Sequence, residues 1–237
     1  VVLTTQLAKY LMNRPLRYSY RFLFIPETIG AITWLSQNED KLNLIKHGLV
    51  ITCAGDSGDF TYKKSRNGNA EIDRTVTHVL KHSEDQFNLV DFFPSGSDER
   101  QFCSPGFDLP VGSLMRSSYT TFPEYHTSAD NLDFVRPEYL EHSFSKFVSI
   151  IEILESNRKC ININPKCEPQ LGKRGIYQNI GGQKKQDHLQ AGMLWVLNYS
   201  DGKNDLLDIA EISGIEFEII SRAATLLEKH HLLTVIR

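Results

Sequence analysis

Apolar and polar positions along the 237-residue chain change rhythm several times, and each change marks an element. Leu3, Leu7, Tyr10 and Leu11 recur at helical spacing and predict a helix over residues 3–13. Residues 17–25 alternate and then become continuously apolar through Tyr18, Tyr20, Phe22 and Phe24, which predicts a strand entering a buried sheet and ending at Pro26. From Thr28 the apolar positions Ile29, Ile32, Leu35, Leu42 and Ile45 return to helical spacing, and residues 47–54 read as a second buried strand. Strand, helix, strand implies a parallel α/β sheet.

The polar residues 56–69 predict a loop carrying a short edge strand at 60–63. Residues 72–82 read as a helix, and residues 88–93 and 109–115 as strands separated by Gly, Pro and Ser. Pro137 suits the first position of a long helix to about residue 157, with Leu140, Phe144, Phe147, Ile151 and Leu154 on one face. That helix closes a first domain, residues 1–159. Residues 160–183, with Pro165, Pro169 and the pair Gly181 and Gly182, read as a connector with a strand at 174–177. Residues 184–237 predict helices at 189–198, 206–212 and 216–230 and a final β-prone Leu233-Thr234-Val235-Ile236, the pattern of a winged helix.

Composition narrows the class. With 41% hydrophobic and 23% charged residues the chain can bury a core, which excludes disordered and fibrous classes. Its apolar runs fall far short of the roughly 20 residues of a membrane span, so no membrane partner is expected. A net charge of −3 gives no general attraction to nucleic acid. Cys53, Cys103, Cys160 and Cys167 form no CxxC pair, and reduced thiols in a cytoplasmic protein are expected. Val1-Val2-Leu3 leads into the first helix as if it were entered midway, so the expectation is of an incomplete chain.

Loops that follow the strands of a parallel sheet are the places to look for chemistry. Glu27 follows the first predicted strand; it reads as a general base or as a carboxylate favoured at a helix start. Asp98, Glu99 and Arg100 follow the third, where Ser97 or Asp98 could equally be a helix cap. Tyr125 and His126 lie before the long helix, with Asp130 four residues on as an acceptor that could orient a metal-binding imidazole; a surface histidine is the plain alternative.

These sites resemble a family. A Glu-containing turn, then Ser97-Asp98 with Phe102, then Tyr125-His126-Thr127 with Asp130, looks like the di-zinc aminopeptidases and glutaminyl cyclases. More closely, residues 18–30, 63–69, 98–101, 124–132 and 169–175 resemble bacterial aminopeptidase-like proteins with a C-terminal winged helix, often described as polysaccharide-biosynthesis proteins. The resemblance implies a three-layer, mostly parallel zinc-peptidase-like sheet, N-terminally incomplete, plus a winged helix. It makes Glu27 the catalytic base, with Glu27, His126 and Asp56 toward the metal and Asp98, Asp130, Tyr125, Glu99 and Arg100 around it. The peptidases carry a second glutamate, a zinc ligand, where this chain has Thr28. Their next ligand, an aspartate, falls where it reads Ile51-Thr52-Cys53-Ala54-Gly55, with Asp56 the nearest carboxylate. One zinc ion or two, a peptide or amide small-molecule substrate, and a homo-oligomer or an N-terminal segment covering the sheet edge are the implied cofactor and partners. The expected function is metal-dependent hydrolysis of an amide; the alternative is a non-catalytic assembly protein with a degenerate metal site. In the last predicted helix, Glu216, Glu218 and Glu228 stand against Arg222 and Lys229, so few phosphate contacts are available and duplex DNA is not expected as a partner.

Overall fold

The computed structural model describes residues 1–176 and 188–236. The chain divides into two units, Val1–Glu152 and Ile153–Arg237.

The first unit begins with α1 (Val2–Leu11), which buries Leu3, Leu7 and Leu11 on one stripe. Residues 17–25 are not a strand, a departure from the expectation. A strand needs a neighbour to accept its backbone hydrogen bonds. The sheet of this unit does not include this segment, whose aromatic side chains lie half-buried or exposed along an irregular path. α2 (Ile29–Gln37) is shorter than predicted because Asn38 turns its side-chain amide back onto the Trp34 carbonyl, 2.8 Å away, and a 3-10 turn (Glu39–Leu44) follows.

Then come β1 (Gly48–Ile51), β2 (Phe60–Lys63), α3 (Glu71–Lys81), β3 (Phe87–Val90), α4 (Glu99–Phe102), β4 (Val111–Met115) and the long α5 (Pro137–Ser156). The four strands form one sheet in the order β1-β4-β2-β3, with β1/β4 and β2/β3 parallel and β2/β4 antiparallel. β2 is therefore central and buried at every position, although its Thr61 and Lys63 make it read as an edge strand. Gly112 of β4 allows the closest approach in this sheet, since a Cβ there would come within 2.2 Å of the Tyr62 hydroxyl. That hydroxyl donates to Asp73 Oδ1 over 2.8 Å, and Asp73 also accepts from the Ser65 and Ala70 amides, which fixes the start of α3. Ala31 and Leu35 of α2 pack with Phe102, Cys103, Leu109 and Val111, tying α2 and α4 to β4.

The second unit contains β5 (Lys159–Asn162), α6 (His188–Tyr199), β6 (Asp201–Asp205), α7 (Leu206–Ser213), α8 (Phe217–Lys229) and β7 (Leu233–Val235). Its sheet runs β6-β5-β7, antiparallel throughout. β5 falls in the expected connector, and the polar β6 carries no apolar alternation to announce it. Asp205 caps α7 by accepting from the Asp208 amide at 2.8 Å while Asp208 accepts from the Asp205 amide, and Gly214 at φ 68° ends that helix. Of the strand predicted at 174–177, Arg174 belongs to a 3-10 turn (Gly172–Arg174), and Tyr177, Gly181 and Gly182 lie outside the described residues. Among the described residues no helix is long and apolar enough to cross a membrane.

Candidate functional site

Parallel pairing of β1 with β4 makes both strands deliver their following loops to the same end of the sheet. The Arg116 amide donates to the Cys53 carbonyl over 2.8 Å and joins the two loops at their roots. Four residues of these loops and of the turn into α2 adopt the left-handed region without being glycine: Thr28 at φ 64°, Cys53 at φ 42°, Thr120 at φ 67° and His126 at φ 57°. For a β-branched threonine this backbone is strained, and strain of this kind gathers at functional sites.

Glu27 is exposed on the turn that enters α2, closed by the Gly30 amide on the Pro26 carbonyl at 2.9 Å. The Thr28 amide donates to Asp98 Oδ1 over 2.7 Å, and Arg100 Nη2 donates to Thr28 Oγ1 over 3.0 Å. Asp98 therefore does not cap α4 with its side chain, one of the two readings of that loop. Because β2 and β4 are antiparallel, β3 ends at the opposite end of the sheet from β1 and β4, and residues 91–97 carry Asp98 back to the Glu27 turn.

Electrostatics show which groups converge. Burial pushes the Cys53 thiol pKa up, opposed by its hydrogen bond with the Thr52 hydroxyl and reinforced by the charges of Asp56, Asp130 and Glu27. Burial, then Glu99, Tyr125, Cys53 and Glu27 push the Tyr119 phenol up to about 12. Tyr125 is raised by burial and then by Cys53 and Glu27. The Cys53 thiol thus feels the charges of Asp56, Asp130 and Glu27, and both Tyr119 and Tyr125 feel Cys53 and Glu27. His126 is exposed and stacks on Tyr125, with ring centroids 4.0 Å apart. Among the described residues no hydrogen bond joins Asp130 to the His126 ring.

Asp56 is buried, and its Oδ1 accepts from the Gly58 amide at 2.8 Å, the Ser117 amide at 3.3 Å and the Ser117 hydroxyl at 2.6 Å, so that oxygen holds the two loops together. Glu99 is wholly buried, with Oε1 on Lys63 Nζ at 2.8 Å and Oε2 without a hydrogen-bond partner. Lys63, Cys53 and Tyr119 are the members that sequence reasoning did not single out as site residues. A lysine in an aromatic strand, Phe60-Thr61-Tyr62-Lys63, was the only available signal for the first. Among the described residues no three His, Cys, Asp or Glu side chains are grouped to hold a metal ion. The donors among the described residues do not by themselves make a zinc site, which generally takes three protein ligands and a water.

Residues 1–157 match the family model described as domain of unknown function DUF4910, and residues 158–235 match a winged helix-turn-helix model. The chain belongs to the DUF4910 family. A Clostridium acetobutylicum protein named for polysaccharide biosynthesis and an aminopeptidase-like domain is 56% identical over 236 residues, covering 100% of this chain and 54% of that protein. A crystal structure described as a peptidase from Clostridium acetobutylicum superposes with a TM-score of 0.91 at 53% identity, over 99% of this chain and 52% of that one. The DUF4910 chain thus spans about half the length of these relatives. A zinc aminopeptidase from Bacillus subtilis shares the fold at a TM-score of 0.53 and 17% identity, over 64% of this chain and 39% of its own. The aminopeptidase-like α/β fold with a mostly parallel sheet, and the winged helix after it, agree with the sequence reading.

Proposed function

We propose that this DUF4910 chain carries the substrate-facing side of an aminopeptidase-like amide hydrolase, with Glu27 as the group that moves a proton between an attacking water and the leaving amine. The observation that supports this most is the strained Thr28 beside Glu27, its amide held by Asp98 and its hydroxyl by Arg100, with the charge of Glu27 felt by Cys53 and Tyr125. Glu27 is exposed, as a proton carrier that meets substrate must be, while Asp98 and Arg100 fix the turn beneath it. Tyr125 has a phenol whose raised pKa keeps it protonated, so it can donate to the carbonyl oxygen as charge develops there. The relative's name supports an amide on a saccharide precursor as substrate.

Zinc belongs to this proposal only through the family. His126 is the donor this chain would offer, and the others are proposed to come from the part of the relatives' length that residues 1–237 do not cover. No step is derived through the metal. A non-catalytic role is the second reading, favoured by the guanidinium of Arg100 on Thr28 where the peptidases place a ligand. The test compares a protein of the relatives' full length with its Glu27→Gln variant on amide substrates, and measures bound zinc in both. Glu27→Gln is expected to lower turnover by about a hundredfold or more with zinc content unchanged. Equal turnover in the two proteins would remove Glu27 from the mechanism.

A further inference from the structure

Arg100 is half-buried in the short α4. Nη2 donates to Thr28 Oγ1 at 3.0 Å, whereas Nε is buried with no hydrogen-bond partner. Among the described residues no carboxylate lies within ion-pair distance of this guanidinium. The acids near it in sequence are committed elsewhere: Asp98 Oδ1 to the Thr28 amide, Glu99 to Lys63 and Asp108 to Arg66. A guanidinium offers five donors in a planar fork, and here one is used on a neutral hydroxyl. Withdrawing such a cation from water without a counter-charge is unfavourable, so a lone, half-buried arginine is a group prepared for an anion.

Thr28 sets where that fork points. Its hydroxyl accepts from Arg100 while its amide is fixed by Asp98, and the φ of 64° is tolerated to keep both bonds. An acidic residue at this position would have neutralised Arg100; threonine orients the guanidinium and leaves its charge. The same two-residue turn carries Glu27. Carboxylate and phosphate oxygens match the arginine fork bidentately, and no neutral group does so as well.

We propose that Arg100 is an anion-binding residue of this site, receiving a carboxylate or phosphate carried by the substrate close to the bond that Glu27 addresses. This deepens the hydrolase reading, on which it rests for the substrate's identity as an amide: the substrate class is an amide bearing an acidic group, rather than a neutral amide.

The experiment is an anion titration of metal-free chain 1–237, followed by the Nε–Hε resonance of Arg100 in nitrogen-15 spectra, the signal being identified by its disappearance in Arg100→Lys. Inorganic phosphate and acetate are added separately at a constant ionic strength of about 0.15 M, so that screening does not change. A saturable shift of the Arg100 resonance is expected, and the tighter of the two anions tells whether the substrate group is phosphate or carboxylate. Arg100→Gln is expected to weaken that anion by about tenfold or more, as measured calorimetrically. Thr28→Val removes the hydroxyl that orients the fork but keeps the charge, and should weaken binding by less than Arg100→Gln does. Absence of a saturable shift with both anions would overturn the proposal, as would unchanged affinity in Arg100→Gln; should that variant not fold, the parent titration still decides. No metal and no turnover enter this measurement, so it can fail while Glu27 proves catalytic, and succeed while Glu27→Gln changes nothing.

Discussion

The Thr28 amide and Asp98 Oδ1, 70 positions apart in sequence, lie 2.7 Å from each other and lock the turn that presents Glu27. A hydrogen bond to a charged acceptor is worth about 1.5–3 kcal/mol, and here it also sustains a β-branched residue at positive φ. Asp98→Ala should therefore lower the unfolding free energy by about that amount, and Asp98→Asn, which keeps an acceptor, by less. Urea denaturation of the three proteins is the check; parent-like stability in Asp98→Ala would show that the turn holds itself.

Lys63 and Glu99 form an ion pair 2.8 Å long with side chains 1% and 0% exposed. Breaking a buried pair leaves one uncompensated charge in the interior, at a cost of about 3–5 kcal/mol, whereas replacing both partners with apolar residues is often near neutral. Lys63→Met is expected to be severely destabilised, and the double variant Lys63→Met with Glu99→Leu to recover most of the loss. A double variant no more stable than the single one would mean that the pair's other contact, from Lys63 to the Ser95 carbonyl, carries the stability instead.

At Gly96 the backbone has φ 117°, and a Cβ would come within 2.0 Å of the Tyr119 hydroxyl. Gly96→Ala should cost about 1–3 kcal/mol or more and shift Tyr119 away from Glu99, lowering its phenol pKa from about 12. Ultraviolet titration of tyrosinate reads the second effect. Adding Tyr119→Phe removes the colliding oxygen and should restore part of the stability, but not the part due to φ.

His78 on α3 is buried and lies against His82, with ring centroids 4.3 Å apart and the rings tilted by 35°. Burial, followed by the charges of His82, Lys81 and Arg74, lowers its pKa from 6.5 to about 4. The native state thus keeps His78 neutral where the unfolded chain has already taken up a proton. Stability is greatest above about pH 6.5 and declines as pH falls toward 4, at about 1.4 kcal/mol per pH unit at most. His47, lowered mainly by burial, adds a decline of the same sign. His78→Gln should flatten the upper part of this window in denaturation midpoints measured from pH 7 to 5; an unchanged slope would assign the decline to other groups.

Local pattern was enough for most of the helices and for β1 to β4, because a buried stripe at period 3.6 or a short apolar run has few other uses. α5 begins at Pro137 as its sequence requires, and Asp205, Asp208 and Gly214 bracket α7 with their own side chains and backbone. Glu27, Asp98, Tyr125 and Asp130 were legible as candidates because each lies outside the predicted helices and strands, where polar residues have no packing task. What the sequence could not determine was anything that depends on a neighbour. Residues 17–25 have strand composition, but strandhood requires a place in a ladder, and the sheet β1-β4-β2-β3 does not include them. β2 looks like an edge until Glu99, 36 positions away, neutralises Lys63 and lets it be buried. Asp98 reads as a helix cap until the antiparallel β2/β4 step and the return of residues 91–97 set it against Thr28. Arg100 has an unremarkable setting in sequence; only the tertiary structure gives it a hydroxyl for a partner and no acid, since the compensation of a charge is decided by distance in space.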